Sequence, residues 1–346
     1  MKSKVIIPLI LGLLSFFAAA CGEREAGGIP EGPRADVVVN VISPSAGTKV
    51  LAGALPEDAN VNHLDVFIFR NGILESFGSA DNSGSLALSA SMGMKEIWAV
   101  VNGPDFSSVS EGAKLEDFKN VAVSLSDNRD DGFIFVGSGN FDITGSTEIQ
   151  IVVSRLASRV VVRKITKDFS VEANQAKEFV VRSIYLTNVQ GANSVGGNAF
   201  QADGGLWYNK MMYEPSNSHP YLHDAVGVTV PGTVGNPGSY EVEHQFFGLP
   251  NDCVSDVSMG TWSRRRTRLV IEASLDGEVM YYPITMSVGF ERNKSYEFNE
   301  VVITKKGSSD PDKLVDGMDV AVSVEILPWD SVLIDNTGNG DGVYVF

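Results

Sequence analysis

Residues 318–327 alternate without a break: Val320, Val322, Val324 and Ile326 fall on one face, and Asp319, Ala321, Ser323 and Glu325 on the other. A side-chain period of two belongs to a strand with one buried face, and no helix reproduces it. Runs of the same kind recur at 35–42, 64–69, 97–101, 149–153, 160–165, 180–189, 241–247, 268–275, 279–286 and 296–303. Turn formers such as Arg70-Asn71-Gly72 and Asp276-Gly277 lie between them, as hairpins require. Only 115–120 and 171–177 carry helical signals, both short. Many short strands with Gly-rich connections predict an all-β fold of β-sandwiches. The 346 residues hold material for two cores in tandem. A change of character around Arg155, Arg159 and Arg163 places the boundary near residue 158, giving sandwiches at 35–158 and 159–330.

The N-terminus is of another kind. Lys2 and Lys4 precede an apolar run to Phe17, and Ala18, Ala19 and Ala20 lead into Cys21. This is the layout of a cleaved export signal, too short for a permanent bilayer span. Residues 1–20 are therefore expected to be removed, leaving Cys21 as a lipid-carrying N-terminus on a leader of residues 21–34. Cys253 then has no partner for a disulfide, and is expected to be a buried small apolar residue.

The formal charge of -16 becomes two units more negative once Lys2 and Lys4 leave. Nucleic acid is excluded as a partner, because phosphate neutralisation needs clustered cations. The one basic cluster, Arg264, Arg265, Arg266 and Arg268, opens an apolar strand and reads as a solvated edge.

Enzyme chemistry finds little to stand on. The four histidines are His63, His219, His223 and His244; Pro220 separates the one helically spaced pair, and no HExxH glutamate accompanies it. Nucleophile-elbow, P-loop and dinucleotide motifs are missing. The stretch 335–342, DNTGNGDG, has the residues of a calcium loop without its bidentate glutamate and reads better as a hairpin turn. The reading is of a non-enzyme with no metal and no cofactor.

Several phrases, in order, resemble the fimbrillin family, the type V pilins exported as lipoproteins by anaerobic Gram-negative bacteria. They are 64–69 (LDVFIF), 97–104 (IWAVVNGP), 153–160 (VSRLASRV), 184–189 (IYLTNV), Leu249-Pro250-Asn251, 292–296 (RNKSY) and Pro328-Trp329-Asp330. The resemblance implies two tandem transthyretin-like β-sandwich domains. It also implies a trypsin-like protease that cuts after a basic residue following the first strand, whose loss opens a groove. Here that removable strand is 35–42, with Val37, Val39 and Val41 on one face. Lys49 is the only basic residue between it and the strand at Leu64, which makes Lys49-Val50 the candidate cleavage site; family members usually carry arginine there. Cutting after Arg34 would release the lipid without opening a groove.

An opened sandwich exposes unpaired backbone and an apolar trench, a template for a strand from another chain. Residues 331–346 offer one: Val332, Leu333 and Ile334, a turn, then Val343, Tyr344, Val345 and Phe346. The resemblance makes this tail the donor segment of a polymerising subunit; folding back as an edge hairpin is the alternative. The implied partners are identical or related pilus subunits, the processing protease, the outer membrane during transit and a host or glycan ligand. The implied destination is a cell-surface fimbria. A different reading is a surface lipoprotein that never polymerises and binds glycans through Leu206-Trp207-Tyr208, Tyr213 and Tyr221.

Overall fold

The computed structural model describes residues 32–42, 60–128, 132–197, 205–210, 218–255, 262–286, 289–313 and 320–329. Strand takes 57% of the described residues and helix 6%, so the fold is all-β.

The first sandwich is built from β1 (Arg34–Ile42), β2 (His63–Arg70), β3 (Ile73–Asp81), β4 (Ser85–Ser91), β5 (Gly93–Val101), β6 (Phe135–Ile143) and β7 (Thr147–Val152). One sheet has the order β4-β1-β7; the other runs β3-β2-β5-β6 and ends on the short strand Ser154–Arg155. Leu64, Val66 and Ile68 of β2 face Val37 and Val39 of β1 across the core, with Ile97 and Ala99 of β5 and Ile149 and Ile151 of β7. Phe67 and Phe69 point to the opposite face of the same sheet. There Phe118, from the helix Leu115–Lys119, packs tilted against Phe67 with ring centroids 4.5 Å apart. Cover on both faces explains why β2 is apolar almost throughout while β1 alternates. The β2–β3 hairpin turns at Asn71-Gly72, both at positive φ (51° and 78°), the conformation that a two-residue primed turn demands.

The second sandwich contains β8 (Ser158–Val162), β9 (Phe179–Thr187), β10 (His223–Thr229), β11 (His244–Gly248), β12 (Arg268–Leu275), β13 (Glu278–Thr285), β14 (Lys294–Ile303) and β15 (Val320–Pro328). One sheet has the antiparallel order β10-β9-β12-β13. In the other, β14 pairs in parallel with β8 and the short strand Ile165–Lys167 on one side, and antiparallel with β15 on the other. Their inner faces meet in one core that includes Val160, Phe179, Ile271, Phe298 and Val301. The run 160–165, expected as one strand, breaks at Arg163 and Lys164. The Arg163 guanidinium turns out to Glu297 at 2.6 Å and to Glu243.

Two readings of the sequence are corrected here. The basic cluster is not a solvated edge: Arg265 and Arg268 are buried, and both guanidiniums converge on Asp312, with Arg268 Nη1 2.6 Å from Oδ1. Burial of two cations is tolerable because one carboxylate lies between them. Cys253 is half-exposed, its Sγ directed to the Ser255 carbonyl at 3.6 Å.

Trp329 closes the described chain and is buried at 2% exposure. Although it follows β15, it packs into the core of the first sandwich, edge-on to Phe133 at 5.1 Å and stacked on Phe247 at 5.6 Å. The guanidinium of Arg155 lies 4.6 Å over its ring, a cation–π contact shielded from water. Arg292 adds a polar tie, donating from Nη2 to Ser154 Oγ at 2.7 Å.

Candidate functional site

β1 is the strand that the fimbrillin resemblance marks as removable, and it occupies the middle of its sheet. Its burial alternates strictly at the start: Ala35, Val37 and Val39 are buried, while Arg34 and Asp36 are exposed. Val37 and Val39 are wholly inaccessible and Val41 is half-buried, so the three valines share one inward face. On one side β1 runs antiparallel to β4, from Arg34 opposite Ser91 to Asn40 opposite Ser85. On the other it runs parallel to β7, from Val37 opposite Thr147 to Ile42 opposite Val152. Neither neighbour is adjacent to β1 in the chain.

Polar contacts fix the register at both ends. Arg34 donates to the Ser89 carbonyl at 2.6 Å and to its hydroxyl at 3.1 Å. The Asn40 amide donates to Glu148 Oε1 at 2.6 Å. The Ile42 carbonyl takes the Val153 amide at 3.0 Å. Loss of β1 would leave β4 and β7 with facing unpaired edges and would uncover the apolar floor between them. Such a gap accepts one extended segment with an apolar residue at every second position.

The chain returns after residue 59 at a point that does not depend on β1. Asn102, at φ 54°, accepts from the amides of Asn62 (2.9 Å) and His63 (3.2 Å) through Oδ1. Its Nδ2 donates to the carbonyls of Asn60 (2.8 Å) and Phe133 (3.0 Å). All the side chain's hydrogen-bonding groups hold backbone, so this residue fastens the incoming chain to the sandwich. Beside it, His63 Nδ1 lies 2.6 Å from Asp81 and Nε2 3.2 Å from Asp65. The bond to Asp81 raises the imidazole pKa, and burial raises that of the Asp65 carboxyl.

Val37, Val39 and Val41 are thus brought together as expected. Cys21, Lys49, Val50, Val332, Leu333, Ile334, Val343, Tyr344, Val345 and Phe346 lie outside the described residues. Asn102 is visible in sequence only within the phrase 97–104, as an Asn-Gly pair after a strand, and neither its positive φ nor the Glu148 contact carries a sequence signal of its own. Of the aromatic residues read as a glycan platform, Trp207 is buried against Trp262 at 5.3 Å, while Tyr208 and Tyr221 are half-buried. Tyr221 packs on Phe247 at 5.7 Å, and Tyr213 lies outside the described residues. Among the described residues, no three His, Cys, Asp or Glu side chains are grouped to hold a metal ion. His219 instead accepts the Tyr221 amide at 3.3 Å, and His244 pairs with Asp224 at 2.8 Å.

Solved structures share this architecture over 86% of the chain. A fimbrilin from Porphyromonas gingivalis W83 superposes with a TM-score of 0.60 at 15% identity, covering 98% of that protein. The chain has the fimbrillin fold. Candidate cell adhesion proteins from Parabacteroides distasonis and Bacteroides eggerthii superpose with TM-scores of 0.62, at 15% and 18% identity, with 99% and 97% of their chains covered. No protein-family model matches the chain, and no curated protein sequence does. The fimbrillin resemblance noted in the short sequence phrases is therefore carried by the tandem-sandwich fold.

Proposed function

We propose that this protein is a structural subunit of a cell-surface fimbria, exported as a lipoprotein through Cys21 and polymerised by strand exchange. The observation that carries the reading is the placement of β1. It is a central strand, paired on both sides and seated on the core by Val37 and Val39, yet the rest of its sandwich follows it in the chain only after residues 43–59. In this reading, residues 35–158 form the accepting domain and 159–330 carry the donor. Cleavage at Lys49-Val50 frees residues 21–49 together with the lipid, and residues 331–346 of another subunit fill the vacated place. Trp329, held between the sandwiches, fixes the point from which the donor departs. The shared fold with a fimbrilin and with candidate cell adhesion proteins supports a structural role at the cell surface.

The test is limited proteolysis with a trypsin-like enzyme, followed by N-terminal sequencing and electron microscopy. The expected product begins at Val50 and assembles into filaments, and deletion of residues 332–346 abolishes assembly. Cleaved protein that stays monomeric, or a tail deletion that polymerises normally, would sink the proposal.

A further inference from the structure

The second sandwich holds a buried cation with no carboxylate in ion-pair contact among the described residues. Lys167 ends the short strand Ile165–Lys167, between Gly238 on one side and Ile303 on the other, and is 4% exposed. Its ammonium donates to the Lys177 carbonyl at 2.8 Å and, at the limit of a hydrogen bond, to the Gly232 carbonyl at 3.5 Å. Among the described residues no acid lies within ion-pair distance. An ammonium carries three protons, so one lacks an acceptor and another has a poor one. Burial of this incompletely compensated charge lowers the lysine pKa, with only the field of Asp276 opposing it.

Beside this lysine is a pocket of about 180 Å³, open to solvent and lined also by Asp168, Phe169, Thr233 and Asn236. The loop that forms its wall is held in shape. Thr233 and Asn236 exchange backbone hydrogen bonds at 3.0 and 2.9 Å, and Gln175 clamps the Gly235 amide at 2.8 Å while donating to the Phe169 carbonyl at 2.7 Å. The Thr233 hydroxyl and the Asn236 side-chain amide make no hydrogen bond within the described protein, which leaves both available at the wall.

We infer that this pocket binds a carboxylate group, with Lys167 as its counter-ion and Thr233 and Asn236 as neutral donors. One cation balances one negative charge, and the exposed Asp168 beside it disfavours a dianion such as phosphate. The volume is below the roughly 300 Å³ at which whole-ligand sites begin, so the pocket takes the acidic end of a ligand. The site is remote in the chain from β1.

The experiment follows the Lys167 ε-methylene resonance by NMR in the full-length protein during titration with acetate, acetamide or inorganic phosphate. Acetate is expected to shift it saturably and to raise the lysine pKa, with no saturable response to acetamide and a weaker one to phosphate. Lys167→Met should abolish acetate binding. Thr233→Val, on an exposed loop that tolerates the change, should weaken it about 2- to 10-fold, as loss of one hydrogen bond of 0.5–1.5 kcal/mol requires. An unmoved resonance, an equal response to acetamide, or full affinity in both Thr233→Val and Asn236→Ala would overturn the assignment, and tighter phosphate binding would overturn the choice of carboxylate.

Discussion

If β1 is held as a separable strand, its hold is concentrated in two side chains. A specific protease site placed within residues 46–52 would cut the chain and leave β1 bound without a covalent link. A fluorescent peptide of residues 34–42 can then compete for the vacated place, with affinity read by anisotropy. Val37 and Val39 are both fully buried. Truncating either to alanine removes two methyl groups, at about 0.8 kcal/mol each, and leaves a void, for about 2 kcal/mol in all. At ~1.4 kcal/mol per decade, each peptide variant should bind about 30-fold more weakly. Because the two valines share one face, the double variant need not be additive. Asp36 points outward and is exposed, so Asp36→Ala should bind within about 2-fold of the parent. Equal affinity of the Val39→Ala and Asp36→Ala peptides would refute the reasoning, because the groove would then not read the buried face.

Trp329→Ala should lower stability by about 3–5 kcal/mol, read as a shift of the urea midpoint, since the ring is buried among Phe133, Phe247 and Arg155. Asp312→Asn removes the carboxylate shared by the buried Arg265 and Arg268 and should cost about 3–5 kcal/mol in the same assay. His63 is raised above its ordinary 6.5 by Asp81. Its stabilising contribution is therefore complete below that value and is lost as pH rises through the higher folded-state pKa. Denaturation from pH 6 upward should show wild type converging on His63→Asn, and parallel curves would exclude this linkage.

How much of this was legible depended on whether a strand carries its own contrast. Arg268–Leu275 coincides with the run read from sequence, and Arg34–Ile42 and Val320–Pro328 begin or end within two residues of theirs, because branched apolar residues mark their buried faces. Ser85–Ser91 was overlooked although Leu86, Leu88 and Ala90 alternate, since serine and alanine between them dilute the signal. Phe135–Ile143 was hidden by its glycines; at Gly137 the Val152 carbonyl stands 2.2 Å from where a Cβ would be, so a close backbone approach demands the residue that weakens the pattern. The Arg265–Arg268 pair was misread because its partner, Asp312, lies 44 residues beyond Arg268. Pairing across such a separation leaves no periodic trace. In the candidate site, the valine face of β1 could be seen, whereas its central position between two partners is a property of topology alone.

The burial of Trp329 has a mechanical consequence. A pull applied to the chain beyond residue 329 meets the indole before it meets any hydrogen bond of β15. The ring is wedged against side chains from both sandwiches, and its amide is fixed to the Asn293 carbonyl at 3.0 Å. Tension is thereby divided between two cores at the joint and does not unzip the β14–β15 edge one bond at a time. Rupture then requires a whole aromatic cluster to give way together.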